Sequence, residues 1–326
     1  MEAITDGRGF PEARVGKERA GDGGVVPPPR PVYPNSAVFN TRSCTQGMHL
    51  LRPDEAMSNA VMYEAGYAAM KTGVDLIMLM QMPNHEHDIV EDPLGNVPAF
   101  NENFHKLVAK VGNVMRDRTQ NFFDSEPTCV VRLETLEDLI RKVVYVATNP
   151  VRAGLVERAK EWPGASGYAA LITGKPVRAY RPKAFHSSRS KVMPEVIDVS
   201  FRIPERFGDP APIIEEIVRR VTRIEENEIR ERRCRGIPVV GRYRVMRRSP
   251  FEKPAEPKKR SDISPTIAAI DSQTRFEAID RLRCFRRRYR AARAAMRAGT
   301  PIPFPHGTYW LARHVGVVVL PAEKTN

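Results

Sequence analysis

Two histidines, His85 and His87, stand one residue apart in the stretch MPNHEHDIV, in a chain of 326 residues that carries only seven histidines. On a β-strand, side chains alternate between faces, so this spacing puts both imidazoles on one face and Glu86 on the other. Two adjacent imidazoles on a rigid strand can chelate one divalent cation, provided that a third ligand completes the set. The plainer alternative is a pair of polar residues on a wet sheet face.

The third ligand has a candidate in YVATNPVRAGLV. On a helix, Tyr145 and Asn149 are one turn apart and share a face. A tyrosine hydroxyl, with a pKa near 10, is a poor nucleophile at neutral pH. A metal that polarises a phosphodiester makes its attack feasible and yields a covalent intermediate. Asn149 could supply the oxygen ligand beside that nucleophile. Alternatively, Tyr145 is an aromatic packing on the sheet and Asn149 a polar cap before Pro150.

Several elements must position these groups. SAVFNTRSCT, from Ser36, is a strand candidate. DEAMSNAVMYEAGYAAMKTG is a helix with Asp54 as N-cap and Gly73 as stop. VDLIMLMQM and PNHEHDIVED form a hairpin across Pro83-Asn84. A second helix spans about Phe100 to Arg118, and PTCVVRL is a further strand. TLEDLIRKVVYVATNP is a helix capped by Thr135 and stopped by Pro150. The order strand, helix, strand, strand, helix, strand, helix predicts an α+β fold, a ferredoxin-like antiparallel sheet with an added helix.

Residues 1–34 are rich in Gly and Pro and are expected to form a disordered arm. Residues 35–182 would make the catalytic domain, and residues 183–326 a basic, mostly helical extension. Prolines between Trp162 and Arg206 suggest a surface strap. A charged helix is expected over Ile213–Arg233, then a strand-like VVGRYRV and a basic linker. RFEAIDRLRCFRRRYRAARAAMRAG reads as a long helix. Trp162 and Trp310 are expected to anchor the core.

The charge is unevenly placed. The chain has net charge +13, yet its first 182 residues sum to −1 and the remainder to +14. A basic half suits a polyanion, and in its long helix Arg286, Arg287, Arg288, Arg290 and Arg293 are candidate phosphate contacts. Phe285 and Tyr289 among them could stack unpaired bases. A merely solvated charged helix is the alternative. No stretch of about 18 apolar residues exists, so a membrane span is not expected. The N-terminus lacks a secretory pattern. Four scattered cysteines fit neither a zinc finger nor a disulfide framework, and suit a cytoplasmic protein.

MPNHEH, YVATNPVRAGLV and EWPGASGY together resemble the REP-associated tyrosine transposases, relatives of the single-tyrosine HUH transposases of small insertion sequences. Thr45 and Gln46, LLRPD, SPTIAAIDSQTRFEAIDRL and FPHGTYWLARHVGVV resemble a long-tailed bacterial branch, so the resemblance runs from about Val32 onward. It implies an HUH nuclease fold, with His85 and His87 binding Mg2+ or Mn2+, Asn149 as third ligand and Tyr145 as nucleophile. It further implies single-stranded or hairpin DNA as partner, a 5′-phosphotyrosine intermediate, a nucleoid-associated location, and a homodimer as one assembly. Glu86 and Asp88 depart from the family, where apolar residues are usual. If a helix covers their face, two carboxylates there cost several kcal/mol unless paired. That departure motivates a second reading, a hairpin-binding protein that has lost cleavage; a third reading is a metal-dependent hydrolase using water, with Tyr145 structural.

Overall fold

The computed structural model describes residues 29–254 and 266–322. The first strand, β1 (Ser36–Ser43), lies mid-sheet and leads into helix α1 (Glu55–Thr72). Asp54 caps α1 by accepting from the Met57 amide, and Gly73 ends it at φ 71°, as expected. Strands β2 (Asp75–Gln81) and β3 (His85–Asp92) form the hairpin, closed by a Met82 amide to His85 carbonyl bond of 2.8 Å. Helix α2 (Val97–Met115), strand β4 (Cys129–Leu133) and helix α3 (Leu136–Arg152) follow. A short strand, β7 (Ile267–Ala268), joins from far along the chain. The sheet order is β2-β3-β1-β4-β7, antiparallel throughout except for the parallel β4–β7 pair.

The sheet has two covered faces. Helices α1 and α2 pack together on the face of Asn40, Glu86 and Asp88, where Asn101 and His105 of α2 reach those side chains. Helix α3 covers the opposite face, that of Phe39 and His87. The main core fills both interfaces, from Tyr63, Phe100 and Phe104 on one side to Leu139, Val143 and Val146 on the other.

The EWPGASGY stretch runs along the β2 edge. Gln81 and Ala165 exchange a backbone bond, as do Gly167 and Leu79, each at 2.9 Å. The approach requires glycine: a Cβ on Gly164 would lie 3.0 Å from the Gln81 carbonyl, and one on Gly167 would lie 3.0 Å from the Leu79 nitrogen. Trp162 is buried as expected, its indole N–H donating to the Gln81 carbonyl at 2.8 Å. Beyond it lie helix α4 (Tyr168–Thr173) and an antiparallel pair, β5 (Val177–Tyr180) with β6 (Val196–Val199), which packs on α1. The expected boundary at 182/183 falls between these paired strands.

Helix α5 (Pro210–Arg235) lies against α3, and helix α7 (Ser272–Arg297) follows β7. The tail is tied to the sheet domain. Ile270 donates its amide to Asp138, whose other oxygen accepts from Thr135 in the capping box of α3, and Arg281 pairs with Glu134 at 2.9 Å.

Several expectations need correction. Helix α2 starts and ends three residues early, because Asp92 accepts from the Asn96 and Val97 amides at 2.7 Å and left-handed Asp117 closes the other end. Pro150 does not stop α3, which continues to Arg152. A proline in the last turn removes only one backbone bond, and the Ala153 amide still reaches the Asn149 carbonyl. VVGRYRV forms no strand. Val240 and Gly241 bond the loop after α3, and α6 (Arg242–Arg247) then starts from Gly241 at φ 83°. Trp310, at the start of helix α8 (Trp310–Val315), is not a core anchor: it is 62% exposed, with its ring tilted against that of His314. Of the N-terminal arm, residues 1–28 lie outside the described residues, but Arg30 bonds the Thr128 carbonyl and Tyr33 stacks on His306. Most of the basic linker, residues 255–265, also lies outside them.

Candidate active site

The β1–β3 register determines what surrounds the histidines. Thr41 stands opposite His87, and Ser43 opposite His85. The imidazoles share a face, with ring centroids 4.7 Å apart. Thr41 Oγ1 lies 2.9 Å from His87 Nδ1, and Asn84 Oδ1 lies 2.8 Å from His85 Nδ1. With Nδ1 engaged in each ring, Nε2 is the nitrogen placed for ligation.

Helix α3 brings its residues to this pair. The amide group of Asn149 lies 3.0 Å from His87 Nε2, and the Tyr145 ring stands 5.7 Å from the His87 ring, centroid to centroid. Phe39 packs edge-on against Tyr145 and 5.2 Å from His87, which walls the site on the sheet side. His87 is buried, whereas His85 and Tyr145 are partly exposed, so the site opens at one end of the sheet. His85, His87, Tyr145 and Asn149, chosen from sequence, therefore come together within one chain.

These donors suit a divalent cation. Two imidazoles, each held through Nδ1, and an amide that can turn its oxygen inward form an N,N,O set with room for further ligands. The Asn149 amide already contacts the His87 ligand nitrogen, so exchanging its nitrogen for its oxygen requires only a rotation about χ2.

Two neighbours escaped sequence reasoning. Lys142 is buried, with its ammonium 4.5 Å from the Phe39 ring centroid and 5.3 Å from that of Tyr145. Its position three residues before Tyr145 on a helix was the available clue. Thr41 was visible only through strand register.

The opposite face of β3 is dry. Glu86 is 1% exposed and Asp88 fully buried. Glu86 contacts His105 Nε2 at 2.9 Å, and Asp88 accepts from the Asn40 amide at 2.7 Å. Burial pushes the Glu86 carboxyl up to about 8 and holds His105 down to about 4, so their contact is a hydrogen bond between uncharged groups rather than an ion pair. Burial, reinforced by the neighbouring Glu86, also raises Asp88. These carboxyls thus lie beneath the histidines, not among them. Glu86, Asp88 and His105 are a group able to hold a metal ion.

The arginines on α7 divide. Arg287, Arg288, Arg290 and Arg293 are exposed, whereas Arg286 is buried, with its Nε directed at the Pro29 carbonyl 3.5 Å away. Phe285 is also buried and, with Tyr289 and Phe304, forms an aromatic cluster, so it is not a platform for bases. No described helix is long and apolar enough to cross a membrane.

No protein-family model and no curated protein sequence matches the chain. Among solved structures, it is similar to a REP-associated tyrosine transposase bound to a REP hairpin. That match has 14% identity and a TM-score of 0.39, covering 54% of this chain and 97% of the other. It is also similar to a candidate transposase from Deinococcus radiodurans R1, with 15% identity and a TM-score of 0.26, covering 30% of this chain and 80% of the other.

Proposed function

We propose that this chain is a metal-dependent DNA strand transferase of the HUH type, acting on single-stranded or hairpin DNA through Tyr145. The carrying observation is the convergence of Tyr145 and Asn149 of α3 on His87, beside His85. The order β2-β3-β1-β4, with α1 and α2 on one face, supports a ferredoxin-like framework for it.

In this reading His85, His87 and Asn149 hold Mg2+ or Mn2+. Such a cation, when bound, polarises a phosphoryl oxygen and offsets the charge that builds in an in-line displacement. Tyr145 Oη forms the bond to phosphorus as the bond to the 3′-oxygen breaks. The upstream strand leaves as a 3′-hydroxyl, and the downstream strand stays as a 5′-phosphotyrosine, ready for rejoining. Phe39 packs edge-on against the Tyr145 ring, which restricts that ring beside His87. The buried Lys142 ammonium, 5.3 Å from the centre of that ring, places a positive charge beside it that would attract the phosphate. One chain supplies all of these groups, so a second copy is not needed to complete the site.

The binding-only reading was motivated by Glu86 and Asp88. On the covered face they are partnered by His105 and Asn40 and lie away from the histidines, which weakens that motive. The exposed arginines of α7 would add sequence-independent affinity for the DNA backbone. The test is to incubate the full chain and Mn2+ with end-labelled single-stranded oligonucleotides containing a short palindrome. A covalent adduct surviving denaturing electrophoresis is expected. Free cleaved product without adduct would favour water as nucleophile, and binding without cleavage would favour the non-catalytic reading.

A further inference from the structure

The face of β3 opposite the histidines carries a feature that the proposed chemistry does not use. Glu86 and Asp88 project from it beneath α2, and His105 of α2 points back at them. The potential ligand atoms of the three residues lie within 4.8 Å of one another. That is close to the span across one ion bound at about 2.0–2.2 Å.

The surrounding groups orient these side chains without satisfying them. Asn40 donates to one Asp88 oxygen at 2.7 Å, and Asn101 donates to Asn40 at 3.3 Å. Thr128 Oγ1 lies 3.3 Å from His105 Nδ1, while His105 Nε2 faces Glu86. Glu86 Oε2, Asp88 Oδ2 and Asn101 Oδ1 are buried with no N–H or hydroxyl donor among the described residues, and the Glu86 and Asp88 carboxyls face each other. Two facing carboxyl groups on buried residues, with no other donor to their inner oxygens, need either a proton or a cation between them.

We propose that Glu86, Asp88 and His105 form a second, structural divalent-metal site on the dry face of β3. Charge balance suits this occupant: a dication that displaces the carboxyl protons leaves two carboxylates and a neutral imidazole, whose charges it cancels. One nitrogen and several oxygens suit zinc or manganese rather than a thiophilic ion. A bound ion would clamp α2 to the strand that carries both histidines, fixing β3 from behind.

The test separates this site from the histidine face by removing the latter. Full-length His85→Ala/His87→Ala protein is dialysed against zinc or manganese, and its metal content is measured by mass spectrometry. About one equivalent should remain in that variant. Adding Glu86→Gln and Asp88→Asn should abolish it while leaving the far-UV circular dichroism intact, because neutral amides tolerate the dry site. Cobalt substitution gives an independent readout, since a visible ligand-field band should appear in the His85→Ala/His87→Ala protein and change on His105→Gln. A folded His85→Ala/His87→Ala chain that binds no metal overturns the proposal, as does undiminished binding after the Glu86 and Asp88 substitutions. Adduct formation is not the readout, so failure here differs from failure of the strand-transfer reading.

Discussion

Thr41→Val replaces a hydroxyl by a methyl of similar size and removes the group 2.9 Å from His87 Nδ1. His87 is 4% exposed, so water does not readily replace that partner. With Nε2 acting as ligand, the proton resides on Nδ1, and the valine leaves this buried donor orphaned. The cost is about 1–3 kcal/mol, which corresponds to about a 5- to 150-fold loss in Mn2+ affinity. Removing a partner of a ligating histidine generally costs about 10–100-fold. The sheet should tolerate the change, since valine suits a strand and Phe39 still packs on the His87 ring. Calorimetric titration with Mn2+ in a Glu86→Gln/Asp88→Asn background reads only the histidine face. Thr41→Ser, which retains the hydroxyl, is the control. Equal affinity in the valine variant and its parent, or equal losses in the valine and serine variants, would refute the assignment of Nε2 as ligand.

Four more outcomes are expected. His85→Ala or His87→Ala should abolish metal-dependent cleavage with little loss of thermal stability; cleavage surviving both single changes would return the pair to a structural role. Arg287, Arg288, Arg290 and Arg293 changed together to Gln should flatten the salt dependence of single-strand binding by about 0.7 for each phosphate no longer neutralised, measured by fluorescence anisotropy. An unchanged slope would mean that α7 is only solvated. Arg286→Ala should instead lower the melting temperature, because that side chain is buried against the segment around Pro29. Glu64 is buried against His186 at 2.6 Å, and burial raises its carboxyl to about 8. The folded state then holds this proton longer than the unfolded state does. Stability from this group is present below about pH 4.5 and lost as pH rises towards 8, by up to about 1.4 kcal/mol per pH unit. Urea midpoints should therefore favour Glu64→Gln over the parent increasingly from pH 5 to pH 8, and a shrinking difference would contradict the sign.

The sequence made the sheet domain legible because its punctuation is local. Asp54, Gly73, the Pro83-Asn84 turn and the Thr135 cap act within a few residues of the elements that they bound. The His85–His87 alternation and the Tyr145–Asn149 turn are periodicities of single elements, so their convergence followed once α3 was laid on the sheet. Features that depend on what packs opposite stayed hidden. Glu86 and Asp88 could not be paired with His105 without knowing that α2 covers them, nor could Thr41 be matched to His87 without the register. The same applies to Trp310 and Phe285. One is exposed and the other buried, because burial depends on where a helix docks rather than on the residue type. VVGRYRV had strand propensity but pairs with the loop after α3, beyond the reach of local pattern.

The central claim is that Tyr145 forms a bond to DNA. It is tested most directly by digesting the covalent protein–oligonucleotide complex with protease and nuclease, then sequencing the modified peptide by mass spectrometry. The account predicts a nucleotide-bearing tyrosine at position 145, in the peptide spanning Lys142 to Arg152, and no adduct from Tyr145→Phe protein that still binds the oligonucleotide. A modified residue elsewhere, or undiminished adduct in the phenylalanine variant, would contradict it.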